Sequence, residues 1–555
     1  MVRDALRSRH MGNAQSTTLQ PTTPPMTIPA VLRRAATEYS ALDAVVGDGI
    51  RETYAELDAS VDRISAGLVA SGVEPGDRIA IWSPNRAAFV SASFAVYRVG
   101  AVLVPISSRY RGDEAAAIIR RSKASMLLTV TDFLEPDPLS MLAGSGPLPT
   151  LRESVVLSGP TPDGATSLAD VLARGTDPAL ADVVRAREAA IGADDISDII
   201  FTSGTTGQPK GAMLRHGASV RTYLGWSERV GLRAGDRYLV VFPFFHTSGL
   251  KSGILACVLC GASIHPQAVF DVAAMIQRVV DEQITMLPGP PTVFQTILAH
   301  PDLASFDMSS VRSAVTGAAV VPEEIIRRMR SELHISDIVT GYGLTETTGT
   351  ISVCRYDDPP EIVAGTSGRP LDGTEVRIVD DAGVDVAPGS PGEVLARGFN
   401  VMAGYYEDPA ATAEAITADG WLKTGDIGLI DADGRIHITD RKKEMFIVGG
   451  FNAYPAEIES RLLEHPDIVQ AAVVGVPDER MGEVGLAFIV TRSADALADD
   501  AQLAALTEWC RGRMANFKVP RTFRIVDALP LNATGKIAKA ELRATMLAQQ
   551  QIGPT

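Results

Sequence analysis

From Pro29 onward, helical patterns such as Val31 to Tyr39 and Tyr54 to Ser71 alternate with short β-rich runs such as Arg78 to Trp82, Ala101 to Pro105 and Met126 to Val130. Each helix has one apolar stripe to bury, and the runs between are mostly apolar, so the alternation specifies βαβ units stacked in layers. The same texture returns at Asp195 to Phe201, Tyr238 to Phe242, Met286 to Pro288 and Val311 to Val315. Around Leu371 it changes. Turns at Asp381-Ala-Gly, Pro388-Gly-Ser-Pro-Gly392 and Asp431-Ala-Asp-Gly434 separate short alternating strands, the pattern of an antiparallel β region. After Asp440-Arg441-Lys442-Lys443 come a helix (Ala456 to His465), two strands (Ile468 to Val476, Gly485 to Thr491) and a helix (Asp500 to Met514), enough for a small α+β domain. The fold class is therefore α/β: a large N-terminal body of layered α/β subdomains plus a β-rich subdomain, then a small C-terminal α+β domain. The expected boundaries are a disordered tail at 1–26, a large domain at 27–439 with its β-rich part at about 366–439, a hinge at 440–443 and a small domain at 444–555.

Charge narrows the partners. Lys and Arg number 51 against 67 Asp and Glu, a net −16, which repels a nucleic-acid backbone unless basic residues are gathered locally. They are gathered between Arg511 and Arg543, where eight basic residues stand against two acidic ones. That suits a small polyphosphate rather than nucleic acid. Four cysteines in 555 residues are too few for a disulfide framework and point to a reducing compartment, by default the cytoplasm. Cys257-Val-Leu-Cys260 has metal or redox spacing but lies in an apolar run with no second ligand pair, so it reads as core packing. The longest apolar stretch, Phe94 to Ile106, is broken by Arg98 and Gly100 and is too short for a transmembrane segment.

Phe201-Thr-Ser-Gly204-Thr-Thr-Gly207-Gln-Pro-Lys210-Gly211 packs glycines, hydroxyl residues and a lysine into the loop after a strand. Glycines let backbone N–H groups approach an anion, while hydroxyls and an ammonium add donors and charge. It is not a Walker loop, because Gly204 and Gly207 are too close together and Pro209 precedes the lysine.

This loop resembles that of the adenylate-forming superfamily of acyl-CoA synthetases, nonribosomal adenylation domains and beetle luciferases. The resemblance recurs in order from about residue 30 to 545, at Gly341-Tyr-Gly-Leu-Thr-Glu346, Trp421-Leu-Lys-Thr-Gly-Asp426, Asp440-Arg441, Gly449-Gly-Phe-Asn-Ala-Tyr-Pro-Ala-Glu457 and Pro530-Leu-Asn-Ala-Thr-Gly-Lys536. It implies that Thr202, Ser203, Gly204, Thr205, Thr206, Gly207 and Lys210 hold ATP phosphates. Gly341, Tyr342 and Gly343 would take the adenine, with Gly317 and Ala318 also at the nucleotide. Thr345 would reach the α-phosphate and Glu346 the Mg²⁺, for which one carboxylate beside phosphates suffices. Asp426 and Arg441 would hold the ribose. Lys443 falls at the hinge residue and Lys536 at the catalytic lysine, whose cation offsets charge as pyrophosphate leaves. Gly449 and Gly450 would line the pantetheine channel of CoA once the mobile small domain has rotated.

By the resemblance His246, in an aromatic run, matches an aromatic or histidine position flanking the acyl pocket and is assigned to its wall or gate, with Gly249 and Thr316. Amino-acid-activating relatives carry an aspartate there, which disfavours an α-amino acid. The pocket segments His246 to Gly249, Pro288-Gly-Pro-Pro291, Thr316-Gly-Ala-Ala319 and Gly341-Tyr342 contain no lysine or arginine, which favours a hydrophobic monoacid. Gly249, Gly253 and Gly289 are read as leaving room for a bulky group. The resemblance is to the acyl-CoA synthetase branch, with the look of actinobacterial enzymes for fatty acids or for the ring-bearing propanoate left by sterol breakdown. The implied reaction takes a carboxylate, ATP and CoA to acyl-CoA. A fatty acyl-AMP ligase loading a carrier protein and an aryl-CoA ligase are the alternatives, and a homodimer is left open.

Overall fold

The computed structural model describes residues 26–133, 135–202, 209–317, 323–380, 382–441, 446–453, 455–493, 496–497, 499–530, 539, 541–543 and 546. Two large sheets organise the first part of the chain. One has eight strands in the order Gly404–Tyr405, Lys210–Arg215, Ile196–Thr202, Val102–Ile106, Arg78–Trp82, Met126–Val130, Glu153–Ser158 and Thr166–Ser167. From Ile196–Thr202 to Thr166–Ser167 its neighbours pair in parallel. Val102–Ile106 and Met126–Val130 are buried at every residue, as parallel strands covered on both faces must be. The other sheet has nine strands, with a parallel centre built from Asp337–Tyr342, Ser313–Gly317, Met286–Pro288, Arg237–Val240 and Ser263–Pro266.

Helices Ile28–Glu38, Tyr54–Ala70, Ala87–Arg98 and His216–Val230 contribute to one apolar core together with residues of both sheets. Arg98, fully buried, is tolerated there because its guanidinium meets Asp58 at 2.5 Å and Asp62 at 3.0 Å. Cys257 lies in this core and Cys260 packs against it, as the packing reading expects.

A third, antiparallel sheet follows: Thr374–Val379, Gly392–Gly398, Leu422–Ile430 and Ile436–Arg441. A fourth contains Phe446–Val448, Phe451–Ala453, Ile468–Asp478, Gly482–Thr491 and Thr522–Ile525, with its own core around Phe446, Ile458, Val473 and Ile489. Among the described residues no helix is long and apolar enough to cross a membrane.

Three local features depart from the sequence reading. The strand expected at Val311 to Val315 sits two residues later, at Ser313–Gly317. Asp43–Gly47 and Ile50–Thr53 form a hairpin through Asp48-Gly49, both at positive φ, a turn signal passed over in the sequence. Ser248–Leu255 is a π-helix, a segment to which the sequence reading gave no secondary structure. The expected tail lies almost wholly outside the described residues.

Candidate active site

The strand Ile196–Thr202 and the returning strand Lys210–Arg215 bracket the glycine-rich loop and pair antiparallel, with Thr202 opposite Lys210. Across from them a 3₁₀ turn, Thr345–Thr347, presents Glu346. Thr348 at φ +56 and Gly349 at φ +92 fold the chain back, and the Gly349 N–H donates to the Leu344 carbonyl at 2.8 Å. Glu346 Oε1 accepts from Thr202 Oγ1 at 3.3 Å and from the Tyr405 hydroxyl at 2.9 Å. Lys210 Nζ lies 5.2 Å from the centre of the Tyr405 ring. Thr202, Lys210 and Glu346 are thus brought together, with Thr345 buried beside them. Tyr405 was missed by the sequence reading. It arrives on a two-residue strand, Gly404–Tyr405, laid against Lys210–Arg215, which no local pattern announces.

A second grouping forms around Tyr342, whose hydroxyl donates to Asp426 Oδ2 at 2.7 Å. Asp426 is buried on the strand Leu422–Ile430, directly opposite Arg441 in antiparallel register. Gly317 and Gly341 are register partners at the ends of their strands. At Gly343 the need for glycine is internal, since a Cβ would lie 2.5 Å from the Gly349 carbonyl oxygen. Two adjoining clusters result: hydroxyl, ammonium and carboxylate groups around Glu346, and an aromatic ring with a buried carboxylate at Asp426. Ser203, Gly204, Thr205, Thr206, Gly207, Ala318, Lys443 and Lys536 lie outside the described residues.

Of the acyl-pocket candidates, His246 and Gly249 follow the strand Arg237–Val240 and Thr316 lies on the strand Ser313–Gly317, both in the nine-stranded sheet. Asn85 fastens the run before His246, accepting from the Phe244 N–H at 2.8 Å and donating to the Val240 and Phe242 carbonyls. His246 is exposed yet closely surrounded, and desolvation lowers its pKa below the ordinary histidine value. Its Nδ1 faces Ser248 Oγ at 3.3 Å. Thr316 is buried, and its hydroxyl has no hydrogen-bond partner among the described residues. Lys251, next along the π-helix, turns to the strand Ile196–Thr202, where Nζ donates to Asp198 at 2.5 Å. The buried Lys251 ammonium is thereby committed to a carboxylate.

The glycines read as room are not empty. A Cβ on Gly249 would come 2.1 Å from the Pro243 carbonyl oxygen, and one on Gly253 would come 2.5 Å from Val240 Cγ1. At Gly289 it would meet Val293 at 3.0 Å. These residues allow close packing of the pocket's own wall, so pocket volume does not follow from them. Gly449 and Gly450 form the turn between Phe446–Val448 and Phe451–Ala453, at φ +55 and +85. A Cβ on Gly450 would lie 3.0 Å from Pro290, so this turn abuts the Pro288-Gly-Pro-Pro291 segment.

Residues 32–406 match the AMP-binding enzyme family, and residues 457–536 match the AMP-binding enzyme C-terminal domain. The chain belongs to these adenylate-forming enzymes. Within the class it is similar to CoA ligases. It is 46% identical over 523 residues to the 3-(7a-methyl-1,5-dioxo-octahydro-1H-inden-4-yl)propanoyl:CoA ligase of Rhodococcus jostii, covering 94% of this chain and 98% of the relative. The corresponding ligase of Mycobacterium tuberculosis is 45% identical, over 93% of this chain and 98% of the relative. Among solved structures, a double mutant of o-succinylbenzoate CoA synthetase from Bacillus subtilis, bound to a product analogue, matches with a TM-score of 0.76. That match has 26% identity and covers 93% of this chain and 98% of the other.

Proposed function

We propose that this carboxylate–CoA ligase activates a bulky, ring-bearing propanoate. The carboxylate oxygen attacks the ATP α-phosphorus, pyrophosphate leaves, and acyl-AMP forms. The CoA thiol then attacks the acyl carbonyl, AMP leaves, and acyl-CoA is released. The observation that carries the reading of CoA as acceptor is the Gly449-Gly450 turn against Pro290, which puts side-chain-free backbone beside the acyl-pocket segment. The substrate class is supported by the two propanoyl:CoA ligases above and by pocket segments without a free cation. Lys251, the nearest ammonium in sequence, is neutralised by Asp198. A propanoate carrying a ring system with no second carboxylate suits such walls.

In this reading Asp426 accepts from the ribose hydroxyls, Tyr342 offers its face to the adenine, and Arg441 adds the second ribose contact. Thr202 and Lys210, with Ser203 to Gly207, receive the phosphates, and Thr345 contacts the α-phosphate. Glu346 fits a Mg²⁺: Thr202 and Tyr405 fix its Oε1, and its Oε2 has no hydrogen bond among the described residues. When bound there, that ion would neutralise phosphate charge. The proposed organisation keeps a large domain at 27–439, a hinge at 440–443 containing Lys443, and a mobile small domain at 444–555. Cytoplasmic location is supported by four free cysteines, three of them buried, and a homodimer remains compatible with the chain.

The test is pyrophosphate release and CoA-thiol consumption across ring-bearing propanoates, fatty acids of medium and long chain, and aryl acids. The ring-bearing propanoates are expected to give at least tenfold higher kcat/KM than the others. A preference for an aryl acid or a fatty acid overturns the substrate assignment. Pyrophosphate release without thiol consumption for every acid favours a carrier-protein acceptor instead.

A further inference from the structure

The catalytic reading leaves the buried charged cluster around Lys518 unused. Lys518, 2% exposed at its side chain, donates from Nζ to Glu457 Oε1 at 2.6 Å and to Glu114 Oε1 at 3.1 Å. Lys518 and Glu457 both belong to the C-terminal unit: Glu457 lies on the helix Pro455–Leu462, and Lys518 follows the helix Asp500–Arg511. Glu114 does not. It begins the helix Gly112–Ser122 in the large body, where its Oε2 accepts from the Arg111 N–H at 3.0 Å. The surroundings also span the two units. Lys518 Nζ lies 4.4 Å from the Tyr110 ring centre, the Arg109 guanidinium sits 3.8 Å over Phe451, and Phe451 stacks on Phe517 at 5.0 Å.

Two carboxylates and one ammonium withdrawn from water persist only while they stay paired. If the C-terminal unit moves, Lys518 and Glu457 move together and remain partners. Glu114 alone loses its cation. Burial raises the Glu114 carboxyl pKa above the ordinary glutamate value even with Lys518 beside it, so this charge depends strongly on that contact. For Lys518, burial by itself would lower the pKa, but Tyr110, Glu457 and Glu114 outweigh it and the ammonium is held charged. The Glu114 to Lys518 contact coexists with Gly450 against Pro290, so a single placement of the C-terminal unit satisfies both.

We propose that Glu114 is a positioning residue that latches the small domain, through Lys518, in the arrangement used for acyl transfer to CoA. The inference rests on the reading of the Gly449-Gly450 turn as the CoA side of the site. A latch selective for one arrangement must act on one half-reaction. Glu114→Gln keeps the side chain's size and an oxygen for the Arg111 N–H while removing the charge, so it isolates the ion pair.

The test measures both half-reactions in the full-length enzyme. Acyl-AMP formation is followed as pyrophosphate release without CoA, and acyl transfer as thiol consumption from supplied acyl-adenylate. Glu114→Gln is expected to leave the first within about twofold of wild type and to slow the second about tenfold, with KM for ATP and carboxylate unchanged. Glu114→Asp keeps the charge at shorter reach and is expected to show a smaller loss in the same step, which guards against misfolding of the neutral variant. Equal loss in both half-reactions, or no loss in either, overturns the latch. If wild type consumes no CoA thiol with any acid, the ligase reading fails and the latch fails with it.

Discussion

Lys536→Ala is expected to slow carboxylate-dependent pyrophosphate release about 10²–10³-fold and to spare thioester formation from supplied acyl-adenylate. As the carboxylate oxygen closes on the α-phosphorus, negative charge builds on the phosphoryl oxygens and on departing pyrophosphate. A cation brought to that point lowers the barrier because it binds the transition state more strongly than the ground state. Removal of one such electrostatic stabiliser costs about 10²–10³-fold in rate. In the second step the thiol attacks an acyl carbonyl and AMP leaves, so no pyrophosphate charge needs an added cation. Stopped-flow pyrophosphate release and a separate thiol assay divide the two steps, and equal loss in both contradicts the assignment of Lys536.

Gly450→Leu is expected to have the opposite outcome, with normal acyl-AMP formation and transfer to CoA slowed by about an order of magnitude or more. Gly450 sits at φ +85, where an L-residue is strained by about 1–2 kcal/mol. Its Cβ alone would lie 3.0 Å from Pro290, and the rest of a leucine side chain needs space beyond that. The turn must then move away from the acyl-pocket segment or fill the passage beside it. Either result hinders the thiol without touching Thr202, Glu346 or Asp426. Unchanged CoA transfer in this variant places the pantetheine path elsewhere.

The parts of the site that sequence made legible are those whose chemistry is local. A glycine-rich loop after a strand, a Gly-Tyr-Gly turn before Thr345-Glu346 and a Gly-Asp turn at Asp426 each carry their residue types within a few positions. The α/β character was legible for the same reason, because strands such as Met126–Val130 are apolar runs bounded by turns. Contacts between distant segments were not. Tyr405 reaches Glu346 from a two-residue strand, and the pairing of Glu114 with Lys518 joins two charged residues that each look like solvated surface in sequence. The π-helix Ser248–Leu255 has the composition of an ordinary apolar helix, since its wider turn is a matter of hydrogen-bond partners rather than residue type. Gly249 and Gly253 illustrate a different limit. Absence of a side chain marks either free volume or close backbone approach, and only neighbouring atoms distinguish them; here Pro243 and Val240 occupy the space.

The central claim is that the acid is activated as its adenylate before it meets CoA. Supplying the preferred carboxylic acid with both carboxylate oxygens as oxygen-18, together with ATP and CoA, tests it by mass spectrometry of the products. Attack on the α-phosphorus leaves one labelled oxygen on that phosphorus when the thiol displaces AMP. The account predicts AMP carrying one oxygen-18 atom, unlabelled pyrophosphate, and acyl-CoA retaining the other label. Formation of ADP with labelled phosphate, or of unlabelled AMP, would contradict it.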